Sequence, residues 1–454
     1  MLKPNHGARR AGAAIATSVA LALGALSAAH AAEPRDETEI PTAMRSVPAA
    51  KDDQVTLMNW ARPPFNAWGF RNTSVNPALM VARGGPVHPM PEAPADPAAI
   101  EGFRFEHNGE TGPLLDAIRA ERVDGVLILK DGAVIYERYF GAFKPHHHHL
   151  WASVTKSMIG MLVGILVEEG ALDLGKTVAE YLPEMAESGF ADRTLRQLLN
   201  MTTALEFSED YANLAPGSVH LEYFRRLGLT PAFDLMALDP QESETPRGVL
   251  ELLPRFTADP DTPPGTVFTY QSPNVDVIGW IIARVEGAPL HEVVRERIWA
   301  RIGAEHDAFF LTDVAFTPIA TGGFNTTLRD FARFGLAVAQ NGRLGDTQIF
   351  PEAWARAVPS ASAADRAAAR ASVYADPESE AHDPAIAAYR GLWWIQDPER
   401  AVFGARGIFG QTLYINRAKG VVAVRFSARE TASNAAAPSF RRLQAGLHLL
   451  AESL

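Results

Sequence analysis

The chain of 454 residues contains no cysteine. That excludes disulfides, a thiolate nucleophile and any cysteine-ligated zinc or iron–sulfur centre, and leaves stabilisation to the packed core. It also lacks a basic excess. Its 42 Lys and Arg stand against 53 Asp and Glu, a formal charge of −11. A nucleic-acid partner would need a basic footprint, so none is expected. No internal repeat is visible. What remains is an ordinary globular composition, 47% hydrophobic, on a chain long enough for two or three packed layers.

The N-terminus carries an export pattern. Lys3, Arg9 and Arg10 precede an apolar run from Ala11 to Leu26, and Ala29-His30-Ala31 has the small-x-small form of a cleavage site. The run is short and Ala-rich for a membrane span. Residues 1–31 are therefore expected to be a signal peptide cleaved after Ala31, which leaves a periplasmic or secreted protein without a stable membrane anchor. Arg9-Arg10 keeps a twin-arginine route open beside the general one.

Residues 60–100 are rich in Pro, Gly and Asn, with Trp60, Phe65, Trp68 and Phe70 among them. This pattern predicts little regular structure and a segment that wraps the main domain. Val126–Lys130 and Val134–Phe140 read as strands around Asp131-Gly132, a strong hairpin signal. Met158–Val167 is apolar almost all round, which describes a buried helix, with Ser153 near its start and Gly170 past its end. The pattern stays mostly helical over 172–300, with helices at Asn274–Val285 and Leu290–Ile302. Another helix spans Leu328–Gln340, capped by Thr326-Thr327. Strands return at Gly391–Gln396, Gln411–Asn416 and Val421–Ser427, and Phe440–Leu454 closes the chain as a helix. The expected fold is α/β (α+β): an antiparallel sheet flanked by helices, completed by both ends of the chain around an inserted, mainly helical domain. In residues, 32–105 form an N-terminal extension, 106–160 with 301–454 the sheet domain, and 161–300 the helical domain. The stretch 360–386, Ala-rich and then acidic, reads equally as a lid or a loose loop.

Three motifs carry chemistry. Ser153-Val154-Thr155-Lys156 is the only Ser-x-x-Lys in the chain. Three residues apart on a helix, the two side chains share a face. A serine hydroxyl needs an adjacent base, and a lysine serves when burial lowers its pKa. The structural alternative is a helix cap beside a solvated lysine. Tyr270-Gln271-Ser272 follows Pro264-Gly265-Thr266 and opens a helix containing Asn274. A phenol there can relay protons, or simply pack in a core. Ala405-Arg406-Gly407-Ile408-Phe409-Gly410-Gln411 opens a strand whose glycines allow close backbone approach. One N–H of that edge, with the N–H of Ser153, could form an oxyanion hole; the alternative is a Gly-rich bulge.

In this order and spacing the motifs resemble those of serine β-lactamases and DD-peptidases, over roughly residues 60–450. The likeness is strongest to the class C-like branch, with its family VIII carboxylesterases and 6-aminohexanoate-dimer hydrolases. Pro64–Trp68, Leu198–Thr203 running into Ser208–Tyr211, Gly322–Thr327 and Gly407–Gln411 look like the dimer-hydrolase side. The resemblance implies a β-lactamase/transpeptidase-like fold. It implies an acyl-enzyme on Ser153, proton transfer by Lys156 and Tyr270, and oxyanion donors at Ser153 and Ile408. It also puts Tyr211, Ser272, Asn325, Gly407 and Phe409 along the substrate pocket, and Glu222 where a substrate ammonium could meet a carboxylate. No metal or cofactor is called for.

Two departures matter. Tyr270-Gln271-Ser272 stands where β-lactamases have Tyr-x-Asn. Ala405-Arg406-Gly407 stands where they have Lys-Thr-Gly, and on a strand Arg406 points to the face opposite Ala405. A small-molecule ester or amide is therefore the expected substrate. A penicillin-recognising enzyme is the alternative, and a non-catalytic binding protein on the same scaffold a third. His146–His149 is expected to be a polar loop, because adjacent side chains diverge. His291-Glu292-Val293-Val294-Arg295 lacks the second histidine of a zinc helix. No Gly-x-Ser-x-Gly occurs, which weighs against an α/β-hydrolase.

Overall fold

The computed structural model describes residues 43–73, 76–209, 218–228, 248–434 and 437–454. The export signal and Tyr211 lie outside the described residues.

Two β-rich stretches far apart in sequence build one antiparallel sheet. Strands β1 (Val123–Lys130) and β2 (Ala133–Tyr139) precede the Ser153 motif. Strands β3 (Ala388–Arg390), β4 (Trp393–Asp397), β5 (Val402–Gly407), β6 (Gln411–Asn416) and β7 (Val421–Ser427) follow it. The order is β3-β4-β5-β6-β7-β1-β2, so the two ends of the chain meet at the β7–β1 seam, where Val424 is in register with Leu127. Asp131 and Gly132 take φ of 50° and 86° in the β1–β2 turn. A two-residue hairpin needs such left-handed backbone, and Asp-Gly supplies it at little cost.

Four long helices build the layers: α1 (Val154–Glu168), α2 (Pro273–Glu286), α3 (Leu328–Ala339) and α4 (Pro438–Ser453). Successive residues of β1 go to opposite faces. Val126 and Ile128 join Tyr414, Ala423 and Leu447 of α4 in one core. Leu127 and Leu129 join Met158 of α1 and Phe331 of α3 in the other. Every residue of α1 from Val154 to Leu166 is buried, as its all-round apolar pattern requires. Each large apolar side chain there contributes roughly 1.5–3 kcal/mol relative to exposure. A lysine in such a helix therefore needs a specific partner. Thr327 caps α3 by accepting from the Asp330 N–H.

Some local expectations change. The N-terminal segment does more than wrap: Ala78–Val81 is the edge strand of a four-stranded sheet completed by Ala308–Leu311, Phe324–Thr326 and His149–Leu150. Trp60 and Phe70 are buried in the core, with their rings 5.9 Å apart. The sheet ends three residues before Ser153, so it fixes the approach of the nucleophile loop. Leu290–Ile302 is not one α-helix. Leu290–Val294 is α-helical, and Arg295–Trp299 widens to a π-turn in which Ala300 N donates to Arg295 O at 2.8 Å. The wider turn lets both Ile298 and Trp299 bury. The stretch 360–386 is built: Ser362 and Asp365 form a capping box on the helix Ala363–Arg370, and the Tyr374 ring stacks on Phe268 at 5.2 Å.

Candidate active site

Ser153 occupies the N-cap position of α1, yet its side chain makes no capping hydrogen bond. Instead its Oγ accepts from Lys156 Nζ at 2.7 Å. Lys156 also donates to the Thr321 carbonyl at 2.8 Å and is 1% exposed. The alternative of a cap beside a solvated lysine is thereby excluded. Burial lowers the Lys156 pKa to about 8, against the opposing pull of the Glu209 and Asp276 carboxylates. A useful fraction of neutral amine is then present near neutrality. Ala152, just before the serine, has φ of 47°. A non-glycine residue in that region stores strain, a feature that clusters at functional sites.

Tyr270 arrives from the loop before α2. Its ring stacks on Trp394 (5.4 Å, 17°) and meets Tyr389 edge-on, and Lys156 Nζ lies 5.1 Å from its centre. Burial and the Glu209 charge hold its pKa well above the ordinary phenol value, while a hydrogen bond to Ser153 acts the other way. The phenol is thus held neutral, in hydrogen-bonding touch with the Ser153 hydroxyl. Gln271 braces this loop. It donates to the carbonyls of Leu205 and Phe207 at 2.9 and 3.0 Å and accepts from Thr203. Ser272 donates both its N–H and its hydroxyl to Glu209.

At the end of β5 a Cβ on Gly407 would stand 2.5 Å from the Trp151 carbonyl oxygen. Only glycine permits this approach, which brings Ile408 into the cavity that Ser153 lines. Ser153, Lys156, Glu209, Ser272, Asp313 and Ile408 line the cavity. Leu57, Trp60, Phe224, Leu227, Val314 and Ile319 give it a largely apolar wall. Among the described residues lining it, Lys156 is the only cation. The arrangement offers a nucleophile, a base of lowered pKa, a neutral acid and a backbone edge for an oxyanion.

Several expected pocket residues lie elsewhere. Asn325 is fully buried, and its amide donates to the Gly323 carbonyl at 2.7 Å. It pairs in register with Leu150 and braces the backbone leading to Ser153 rather than lining the cavity. Phe409 is turned away by its φ of 62°, which breaks the strand alternation. Its ring packs on Phe70 at 5.3 Å, so it anchors the turn that carries Ile408. Glu222 is held by Arg226 at 2.8 Å and Arg225 at 3.2 Å, which answers its charge within its own helix. Arg406 does face away from Ala405. It pairs with Asp383 at 2.5 Å and stacks over Trp394 and Phe440. The histidine run diverges: His149 stacks on Phe426 and meets Asp124 at 3.3 Å, whereas His148 contacts the Asp307 carbonyl. Glu209, Asp276 and Thr321 were not singled out from the sequence. Asp276 alone left a signal, as a charged residue inside an apolar helix stretch.

Known proteins share this fold. A 6-aminohexanoate-dimer hydrolase of Paenarthrobacter ureafaciens is 29% identical over 382 residues, covering 84% of this chain and 90% of that protein. A solved structure described as a candidate 6-aminohexanoate-dimer hydrolase of Bacillus anthracis superposes with a TM-score of 0.74 at 27% identity, covering 89% of this chain and 99% of that one. EstCE1, a hydrolase with promiscuous acyltransferase activity, shares the fold with a TM-score of 0.53 at 18% identity, over 74% of this chain and 98% of its own. Residues 115–446 match the Beta-lactamase family. The chain belongs to that family, and is a serine hydrolase of the β-lactamase fold.

Proposed function

We propose that the protein cleaves small esters or amides bearing an apolar group, through an acyl-enzyme on Ser153. The observation that carries this is the 2.7 Å contact between the buried Lys156 amine and the Ser153 hydroxyl. Neutral Lys156 takes the serine proton as Oγ attacks the carbonyl. The oxyanion rests on the N–H groups of Ser153 and Ile408. Tyr270 protonates the departing alcohol or amine and is reprotonated by the Lys156 ammonium, and water, deprotonated by the regenerated base, releases the acid. The apolar wall suits a hydrocarbon segment, and among the described lining residues one cation, Lys156, stands against the carboxylates of Glu209 and Asp313, which disfavours a substrate carboxylate. The dimer-hydrolase relatives point to linear amides as one substrate class. We propose further that the protein is exported, which rests on the basic start, apolar run and Ala29-His30-Ala31 of the sequence. Turnover of p-nitrophenyl esters, linear amides and nitrocefin by the purified protein and by Ser153→Ala tests the function. Serine-dependent ester or amide cleavage supports it, and hydrolysis that survives Ser153→Ala contradicts it.

A further inference from the structure

Lys156 does not stand alone in the core. Its Nζ donates to the carbonyl of Thr321, and the N–H of the same residue donates to Asp276 Oδ1 at 3.1 Å. Asp276 lies on α2 and is buried, with the Tyr223 hydroxyl donating to its other oxygen. Tyr223 is itself fully buried and sits on the helix Val219–Arg226. Two carboxylates act on the Lys156 ammonium: Glu209, which also holds Ser272, and Asp276. Tyr270 and Ser153 are the other titratable or polar groups against it. Asp276 faces Tyr223 and Lys156, and Asp313 adds a further repulsion.

Among the described residues no cation makes a direct ion pair with Asp276, and a buried carboxylate without one is costly. We propose that Asp276 is a positioning residue for Lys156. Through Thr321 it fixes the amine against Ser153, and its charge sets the pH at which the amine becomes neutral. This rests on Lys156 being the base of the proposed reaction. The two groups pull on each other. Burial raises Asp276 to about 7, and Lys156 opposes that rise, while Asp276 in turn raises Lys156. When the lysine takes the serine proton, a negative Asp276 stabilises the ammonium that forms. Tyr223, donating to the carboxylate, favours its charged form.

Asp276→Asn keeps an acceptor for the Thr321 N–H but removes the charge. The neutral form of Lys156 is then reached at lower pH. The test is the pH dependence of Ser153 labelling by a fluorophosphonate, followed by intact mass, in the parent, Asp276→Asn and Tyr223→Phe. The labelling midpoint is expected to fall by on the order of one pH unit in Asp276→Asn, the usual effect of one nearby charge. A smaller fall is expected in Tyr223→Phe, which removes one donor to the same carboxylate and keeps its charge. Slower labelling with an unmoved midpoint in both variants would overturn the proposal and leave Asp276 as a packing residue. A parent protein that is not labelled at all would overturn the Ser153–Lys156 chemistry itself, and the role of Asp276 with it.

Discussion

Arg406 donates to Asp383 at 2.5 Å while its neighbour on the strand, Ala405, is buried in the core on the opposite face. The cation is therefore committed to Asp383 and to the Trp394 and Phe440 rings. Among the described residues, the cavity beside Ser153 has no positive group to meet the carboxylate of a β-lactam except Lys156, which is bonded to Ser153 and Thr321. Short-chain esters should be turned over at least about tenfold better than nitrocefin in kcat/KM, about 1.4 kcal/mol in transition-state stabilisation. Equal or better kcat/KM on nitrocefin would assign the cavity to penicillin-like substrates.

The same pair makes a stability prediction. Burial alone would raise the Asp383 pKa, but the charge and hydrogen bond of Arg406 outweigh it and hold the carboxyl below its ordinary value. A carboxylate depressed in the folded state stabilises the protein above its unfolded value, about 3.9. That stability is lost as pH falls through the lower folded value. Arg406→Met should cost about 3 kcal/mol at pH 7, because it strands a largely buried carboxylate. The difference from the parent should shrink as pH falls, starting above about pH 3.9, because without Arg406 burial raises the Asp383 carboxyl and it takes up its proton earlier. Urea unfolding of both proteins at pH 7 and in acid checks the sign; a penalty that grows in acid contradicts it.

Lys156 sets the pH profile. With a pKa near 8 in the folded protein, kcat/KM should rise with pH as the amine becomes neutral and level above about 8. Tyr270, held well above its ordinary value, should add no falling limb below about pH 10. The linked stability has the same sign. The folded state binds fewer protons than the unfolded one between about 8 and 10.4, so stability should increase with pH across that window. A profile that falls from pH 6 to 8 would remove Lys156 as the base.

Gly407 tests the oxyanion edge. A methyl group there meets the Trp151 carbonyl at 2.5 Å and must push β5 away from the nucleophile loop. Gly407→Ala should lower kcat by about 10²-fold with a smaller effect on KM, the magnitude of losing one oxyanion donor. A variant with unchanged kcat would show that Ile408 N–H does not serve the oxyanion.

The Ser153–Lys156 contact was legible in the sequence because it is local: three residues on a helix share a face, and the apolar run that follows implies burial. The seven-stranded sheet was legible in outline for a similar reason. Asp131-Gly132 and the alternating strands are short-range signals, and strands before Ser153 and after residue 390 had to meet somewhere. Tyr270 was legible only through the order of motifs, since nothing local says that its hydroxyl faces Ser153. Phe409 and Asn325 were misplaced because their directions are set by tertiary context. A positive φ turns the Phe409 ring toward Phe70, and Asn325 is committed to the carbonyl of Gly323. Glu209 and Thr321 were invisible because each acts on residues more than 50 positions away.

The central claim is that Ser153 is acylated with the help of Lys156 and Tyr270. It is tested most directly by intact mass after reaction with a slowly turned-over ester or a fluorophosphonate. The parent should gain one adduct located on Ser153, and folded Ser153→Ala should gain none. Folded Lys156→Ala and Tyr270→Phe should acquire the adduct about 10²–10⁴ times more slowly. An adduct on another residue, or one that forms as fast in Lys156→Ala as in the parent, would contradict the account.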